Sequence, residues 1–412
     1  MDYLVKDLSL APIGQQKIDW VARWMQVINR LAERFARDGI INGKRIAICI
    51  HLEAKTAYLA LTFKRLGAEV WITSSNTLST KDEVCAALAK QGVHVFAKHG
   101  ADQTEYREFL THLVAAQPHA VVDDGGDICE LLHAQPQYAT HLYGICEETT
   151  SGVNRLLRRA DSGQLRYPTL AINAARSKFL FDNRYGTGQS TWTAITALTN
   201  ITVTGKTVVI VGYGWVGRGL AIRAAGLGAQ VIVTEIDPWK GLEGKMDGFR
   251  VMPLADAAPL GDFFITATGE QKVIRPEHLQ LMKEGAFLAN AGHFDYEIDV
   301  PGLYALAVQT TTVREEVEEC RLPNQRRIYL LAKGGIINIA GGLGHPVEIL
   351  DLSFALQLAS VHYVLSANLK PGFYEVPEEI DELVVRERLA LDGIAIDIDQ
   401  RPNKPVRRTN YA

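Results

Sequence analysis

Three glycines, Gly212, Gly214 and Gly217, stand as GxGxxG in the stretch GYGWVGRG. They follow a β-branched run, TVVIV at 207–211, and lead into a helical pattern. A second β-type run, QVIVT at 230–234, ends at Glu235, 18 residues past Gly217. Strand, glycine turn, helix, strand and acid in this order point to dinucleotide binding. Gly212 allows the tight turn, Gly214 lets backbone amides approach a pyrophosphate, and Gly217 allows close helix–strand packing. The helix N-terminus favours the phosphate charge. Glu235 would accept the adenosine ribose hydroxyls and repel a 2′-phosphate, which favours NAD over NADP. The alternative is a glycine-rich turn that binds nothing.

Other residues invite acid–base chemistry. Lys178 and Asp182, in NAARSKFLFDNRYGTGQS, are four apart and share a face if that stretch is helical. A lysine in a semi-buried, partly cationic site can have a lowered pKa and act as a base. By itself such a pair is more often a surface ion pair. DDGGD (123–127) contains Asp124 and could be a plain acidic turn. EETTSG (147–152) contains Glu148 and good N-cap chemistry. His293 follows Asn-Ala-Gly at a strand end, where ligand-facing groups collect in α/β sheets. HLEAK places His51, Glu53 and Lys55 after another apolar run.

Elements must hold these groups in place. Runs at 45–51, 68–73, 92–97, 120–122 and 169–172 read as strands, with helical spacing between them, as at 56–66. A second α/β unit starts near 185, with a helix over 190–200, the strands flanking GxGxxG, a helix over 220–227, and strands at 263–267 and 286–290. Residues 352–369 read as one amphipathic helix. The last 35 or so residues are charged, lack apolar periodicity near the terminus, and read as a tail or arm. Alternating strands and helices predict an α/β fold with mostly parallel sheets.

Taken together, these motifs with INIAGGLGHP (337–346) resemble the S-adenosylhomocysteine hydrolase family, in order, from about residue 6 to about 393. The wording of HLEAK and FLFDNRYGTGQS is similar to its shorter bacterial and archaeal branch. The resemblance implies a substrate domain (1–184, with a return helix in 345–375), a Rossmann NAD-binding domain (185–344) and a C-terminal oligomerisation arm (376–412). It also implies tightly held NAD, a homo-oligomer (tetramer or dimer), and redox-neutral, reversible hydrolysis of S-adenosyl-L-homocysteine to adenosine and homocysteine. In that chemistry the ribose 3′-hydroxyl is oxidised, which acidifies C4′–H. The 5′ substituent is eliminated, water adds, and the ketone is reduced again.

By the same resemblance, Lys178 and Asp182 serve the 3′-hydroxyl, Glu148 holds ribose hydroxyls, and Asp124, His51 and His293 form the acid–base group at C4′ and C5′. Thr149, Thr150, Ser151, Asn183 and Asn338 contact NAD, Asn338 at the nicotinamide carboxamide. Glu53 and Lys55 touch the purine edge, and His345 lies at the purine and access-channel side. Adenine and hypoxanthine both remain open as the base. The chain departs from the branch at Leu343 before GHP, at Lys333-Gly334-Gly335, at Cys320 and at Lys81. Lys404-Pro405 resembles the start of the longer branch's terminal Lys…Tyr arm, whereas Tyr411 lies too far along to match it. These departures leave room for a paralogue that uses the same 3′-oxidation on S-inosylhomocysteine or expels water from another nucleoside.

Composition excludes a mainly disordered, collagenous or coiled-coil chain. The 412 residues are 47% apolar and 22% charged, with formal net charge −4, an ordinary globular balance. No basic block suggests nucleic acid. No uncharged apolar run of about 18 residues suggests a membrane span, and the N-terminus has no signal-peptide h-region. Five scattered cysteines, none as CxxC, fit a reducing cytoplasm and suggest neither a disulfide framework nor a zinc site. No metal is expected.

Overall fold

A computed structural model describes residues 2–292 and 295–397. His293, Lys404 and Tyr411 lie outside the described residues. The chain forms two eight-stranded sheets with helices packed on them. The first sheet is parallel throughout. Its strands run in the order Tyr3–Leu4, His94–Phe96, Glu69–Thr73, Arg45–Cys49, Ala120–Asp123, Gly144–Glu147, Pro168–Ala171 and Gly372–Glu375. Strand order reverses between Arg45–Cys49 and Ala120–Asp123, which pair in parallel. The crevice at the carboxyl ends there is where α/β sheets bind ligands. His51 and Asp124 follow those two ends.

The second sheet places Arg250–Val251, Gln230–Thr234, Thr207–Val211, Phe263–Thr266, Ala286–Asn290 and Arg327–Leu331 in parallel, then Val317–Arg321 and Gln309–Arg314 antiparallel. Its reversal point lies between Thr207–Val211 and Phe263–Thr266, beside the glycine loop. Buried β-branched and aromatic side chains such as Val208, Ile210, Phe263 and Ile265 fill the interior. Predicted strands match to within a few residues because β-branched runs have one good environment, a sheet covered on both faces.

Two segments differ from expectation. The stretch after Ser177 is helical, but Lys178–Gly186 is a π-helix, followed directly by the α-helix Thr187–Thr199. The wider turn keeps Lys178 and Asp182 on one face. Part of the charged terminal stretch is also ordered. Glu378–Leu391 forms a helix that packs on Val347–Ser366 and Gln26–Phe35, burying Asp381 and Val384. Ile380, Leu383 and Leu391 pack beside Val384 against the core, an apolar stripe at helical spacing within the charged stretch.

The return helix, Val347–Ser366, is long and apolar enough to cross a membrane, yet most of it is buried inside the fold. It packs on Ala54–Arg65, on Gln26–Phe35 and on the π-helix. The strand Gly372–Glu375 then pairs with Pro168–Ala171, so late residues complete a sheet begun by early ones.

Candidate active site

The cleft between the two sheets is lined from both sides, by His51, Asp124, Glu148 and Lys178 on one and by Gly214, Thr268 and Asn338 on the other. At its centre Lys178 Nζ lies 2.8 Å from Asp182 Oδ1 and 3.1 Å from Glu148 Oε1. Lys178 is only 6% exposed, Asp182 1% and Glu148 5%. This is a buried triad rather than a surface ion pair. Its surroundings are anionic, contrary to the cationic setting that would lower a lysine pKa. Burial favours the neutral amine, but the two carboxylates outweigh it and hold the Lys178 pKa above its usual value. The two carboxylates therefore favour the ammonium form of Lys178, and an ammonium can take up a proton only by passing one on.

The two acids differ. Burial pushes Glu148 up to about 7, against the pull of Lys178, while nearby Asp182 pushes it further. Asp182 is also buried, yet Lys178, the His345 ring and the Ser353 hydroxyl hold it below its usual value. Ser353 Oγ donates to Asp182 Oδ2 at 2.7 Å, and Gln357 Nε2 donates to Glu148 Oε2 at 2.5 Å. Sequence reasoning missed both residues. The only signal was that Ser353 and Gln357, like Asp351 and Ser360, are polar positions in a mostly apolar helix.

Asp124 and His51 meet at the first sheet's reversal point. His51 Nε2 lies 3.6 Å from Asp124 Oδ2, and His51 Nδ1 is 2.6 Å from Ser79 Oγ. Asp124 Oδ2 accepts Ser75 Oγ at 2.8 Å, and its buried Oδ1 has no partner among the described residues. Behind them Asp123 and Glu147 sit opposite each other on neighbouring strands. Glu147 Oε1 accepts the N–H of Gly125 at 2.8 Å and the hydroxyl of Thr149 at 2.9 Å, tying the loop of Asp124 to the loop of Glu148.

Thr149 also serves as the N-cap of the helix Thr150–Asp161, so the capping interpretation of EETTSG holds for it. Ser151 Oγ is 3.2 Å from Thr149 Oγ1. A chain of hydrogen bonds runs from this turn to the triad. Asn173 Nδ2 donates to Thr150 Oγ1 (2.7 Å), Asn183 Nδ2 to Asn173 Oδ1 (3.1 Å), and Lys178 Nζ to Asn183 Oδ1 (3.3 Å). Asn173 was not singled out from sequence, although it opens the same motif.

Past the end of the strand Arg45–Cys49, Lys55 Nζ donates to Glu53 Oε2 (2.8 Å) and to the Leu343 carbonyl (3.0 Å). Both Lys55 and Glu53 are buried. Lys81 Nζ reaches the Ile339 carbonyl at 3.5 Å. Leu343 itself is 86% exposed, so its backbone rather than its side chain joins the site. His345 Nε2 is 2.9 Å from Thr187 Oγ1, and burial lowers its pKa.

The glycine loop passes a test for a dinucleotide. Gly212 has φ +98°, and a Cβ on Gly217 would sit 1.9 Å from the Gly212 carbonyl oxygen. In front of Gly214 there is open space. Backbone amides already hold both oxygens of Glu235, so it is not a free ribose acceptor. Its Oε2 accepts the Tyr213 N–H at 2.7 Å and its Oε1 accepts Ile236 N–H at 2.8 Å, which fixes the carboxylate beside the loop. Asn338 is 2% exposed, donates to Ser190 Oγ at 3.1 Å, and keeps a buried Oδ1 without a partner among the described residues. An unfilled acceptor there suits a carboxamide N–H donor. No group of three metal-ligating side chains occurs among the described residues.

Fold and cleft define a two-sheet α/β protein whose dinucleotide-binding half faces a half carrying buried acids around a lysine. The family model for S-adenosyl-L-homocysteine hydrolase matches residues 2–139, and that for its NAD binding domain matches 183–344. An adenosylhomocysteinase of Thermococcus kodakarensis is 51% identical over 399 residues, covering 96% of this chain and 95% of its own. One from Thermotoga maritima is 48% identical over 397 residues, covering 96% and 98%. An S-inosyl-L-homocysteine hydrolase of Methanothermobacter thermautotrophicus is 46% identical over 407 residues, covering 98% and 97%. The chain belongs to the S-adenosyl-L-homocysteine hydrolase family, and it carries the family's NAD-binding domain.

Proposed function

We propose that the protein is an NAD-dependent, redox-neutral hydrolase of S-adenosyl-L-homocysteine, yielding adenosine and homocysteine. The observation that carries this reading is the buried Lys178–Asp182–Glu148 triad lying in one cleft with the glycine loop. We assign 1–184 and 345–375 to the substrate half and 185–344 to the cofactor half. The described part of 376–412 packs on the substrate half. Gly212, Gly214, Gly217, Glu235, Thr149, Thr150, Ser151, Asn183 and Asn338 would hold the NAD. When bound, NAD supplies a hydride acceptor at the ribose C3′ and returns the hydride at the end.

Lys178 and Asp182 hold the 3′-oxygen, and Glu148 orients the ribose. Asp124, with its unfilled Oδ1, and His51 move the C4′ and 5′ protons. His293 is assigned to the same group from its motif alone. We further propose a homo-oligomer in the cytoplasm. The exposed Trp20–Trp24 pair and five buried, reduced cysteines are in keeping with that.

A second reading concerns the base. The Lys55 ammonium spends two of its three donors on Glu53 and Leu343, and it lines the cleft. The remaining donor of Lys55 suits the O6 acceptor of hypoxanthine, and Glu53 beside it could accept from the adenine N6 amino group, so S-inosylhomocysteine is a competing substrate. Thiol release from S-adenosylhomocysteine and S-inosylhomocysteine, measured side by side, tests both readings. A folded, NAD-loaded protein that releases homocysteine from neither would overturn both.

A further inference from the structure

Ser353 and Gln357 are both fully buried and lie four residues apart on the return helix. Each backs one of the carboxylates that grip Lys178. The two backings differ in one respect. The Gln357 amide gives Nε2 to Glu148, while its Oε1 is buried and has no partner among the described residues. A primary amide in this position donates to a carboxylate through Nε2. Turned over, it accepts from a carboxylic acid through Oε1.

We propose that Glu148 is the terminal acceptor of the 3′-hydroxyl proton, relayed through Lys178, and that Gln357 is the positioning residue that serves both protonation states of Glu148. The inference rests on the 3′-oxidation reading above. The O3′–H bond breaks and its electron pair forms the C3′=O bond, while the hydrogen on C3′ leaves with both bonding electrons to the bound NAD. As the hydroxyl proton reaches Lys178 Nζ, a proton already on Nζ passes to Glu148 Oε1, 3.1 Å away, and rotation of the resulting carboxylic acid turns its O–H to the side of Gln357, where the turned amide accepts it through Oε1. Lys178 ends as an ammonium and Glu148 as a carboxylic acid. The proton returns by the same path in the final reduction.

Glu148 is the better acceptor of the two acids because of what faces each. Asp182 meets Lys178, the Ser353 hydroxyl and His345, all of which favour its anion. Glu148 meets Lys178 and Gln357, which favour the anion. It also meets Asp182 and, from the neighbouring strand end, Asp124, which oppose it. Cys146 lies two residues back on its own strand and is a thiol, pushed up by burial.

The test uses the NAD-loaded protein. Gln357→Met keeps the shape but neither donates nor accepts. NADH formation is followed by absorbance on mixing with adenosine or inosine, across pH. Losing a hydrogen bond to the Glu148 anion should move the rising limb up by about one pH unit, a roughly fivefold loss at the wild-type midpoint that approaches about tenfold well below it. Binding of 3′-deoxyadenosine, which cannot be oxidised, should stay within about twofold. A uniform loss at every pH, or loss of 3′-deoxyadenosine binding, would mean that Gln357 only supports the fold and would overturn the proposal. A second measurement does not depend on that variant. Infrared difference spectra of wild type before and after reduction by nucleoside should gain a carboxylic-acid C=O band, absent in Glu148→Gln. NADH without that band overturns the relay but leaves 3′-oxidation standing. No NADH from wild type removes both.

Discussion

The Asp381 carboxylate accepts the backbone N–H of Ser177 at 2.9 Å, across 204 residues of sequence, and that of Arg176 at 2.7 Å. Ser177 opens the π-helix that carries Lys178, and no side chain of that helix caps its own start. The terminal helix thus supplies the cap. Asp381→Ala should lower stability by about 1–2 kcal/mol in urea unfolding and slow NADH formation by adenosine. Asp381→Asn, which keeps one carbonyl acceptor, should recover part of both. Unchanged stability in the alanine variant would show that the cap contributes nothing.

Lys178→Ala should keep NAD yet lose nucleoside-driven NADH formation by about 10²–10⁴. It should also leave Glu148 and Asp182 buried without their cation. Their folded pKa values then rise above the unfolded ones, so stability is lost as pH rises. Melting temperatures should show the variant falling further behind wild type at about pH 8 than at about pH 6. A constant gap would mean that the acids share their proton without the lysine.

The protein should carry NAD when purified without added cofactor. Acid release and enzymatic assay of the nucleotide would check this. Asn338→Ala should lower the NAD content, because its unfilled Oδ1 is the acceptor assigned to the carboxamide. Glu235→Ser should raise the share of NADP, because it removes the charge beside the ribose. Recovery of NADP alone from wild type would refute the assignment of Glu235.

Asp351 caps the helix Gln26–Phe35 from the return helix, through Val27 N–H at 2.8 Å and Ile28 N–H at 3.0 Å. Burial pushes its pKa from 3.8 up to about 6, against the pull of those amides. A raised folded pKa gives stability that is present below the unfolded value and lost as pH rises through about 6. The full span is about 3 kcal/mol. Unfolding free energies of wild type and Asp351→Asn, measured from about pH 4 to 7, should therefore converge or cross as pH rises. Parallel curves would show an Asp351 that stays ionised throughout.

The sequence makes some of this legible and hides the rest for physical reasons. Thr207–Val211, Gln230–Thr234 and Ala286–Asn290 stand where their patterns predict, because β-branched runs next to glycine turns have few other homes. Lys178 and Asp182 meet as their spacing predicts. The sign of the Lys178 environment was misjudged because Glu148 comes from a different strand end, and spacing along a chain carries no information on a third charge. Ser353 and Gln357 were missed because a polar residue in an apolar helix has several uses. Only the approach of Asp182 and Glu148 selects one. Glu378–Leu391 was missed because its apolar stripe, Ile380, Leu383, Val384 and Leu391, is interleaved with many charges, which read as a solvated arm.

The pairing of Gly372–Glu375 with Pro168–Ala171 also bears on how the chain is made. During synthesis the first seven strands of that sheet leave the ribosome long before their eighth. Until the later residues emerge, Pro168–Ala171 is an open edge, and the nascent chain holds Glu148 and Asp182 with no helix behind them. A growing chain in that state exposes both a strand edge and an apolar face, the surfaces that aggregate or recruit chaperones. Ribosome-bound chains stopped near residue 200 should therefore be protease-sensitive in the first sheet. Those extended beyond residue 391, where the terminal helix ends, should be protected.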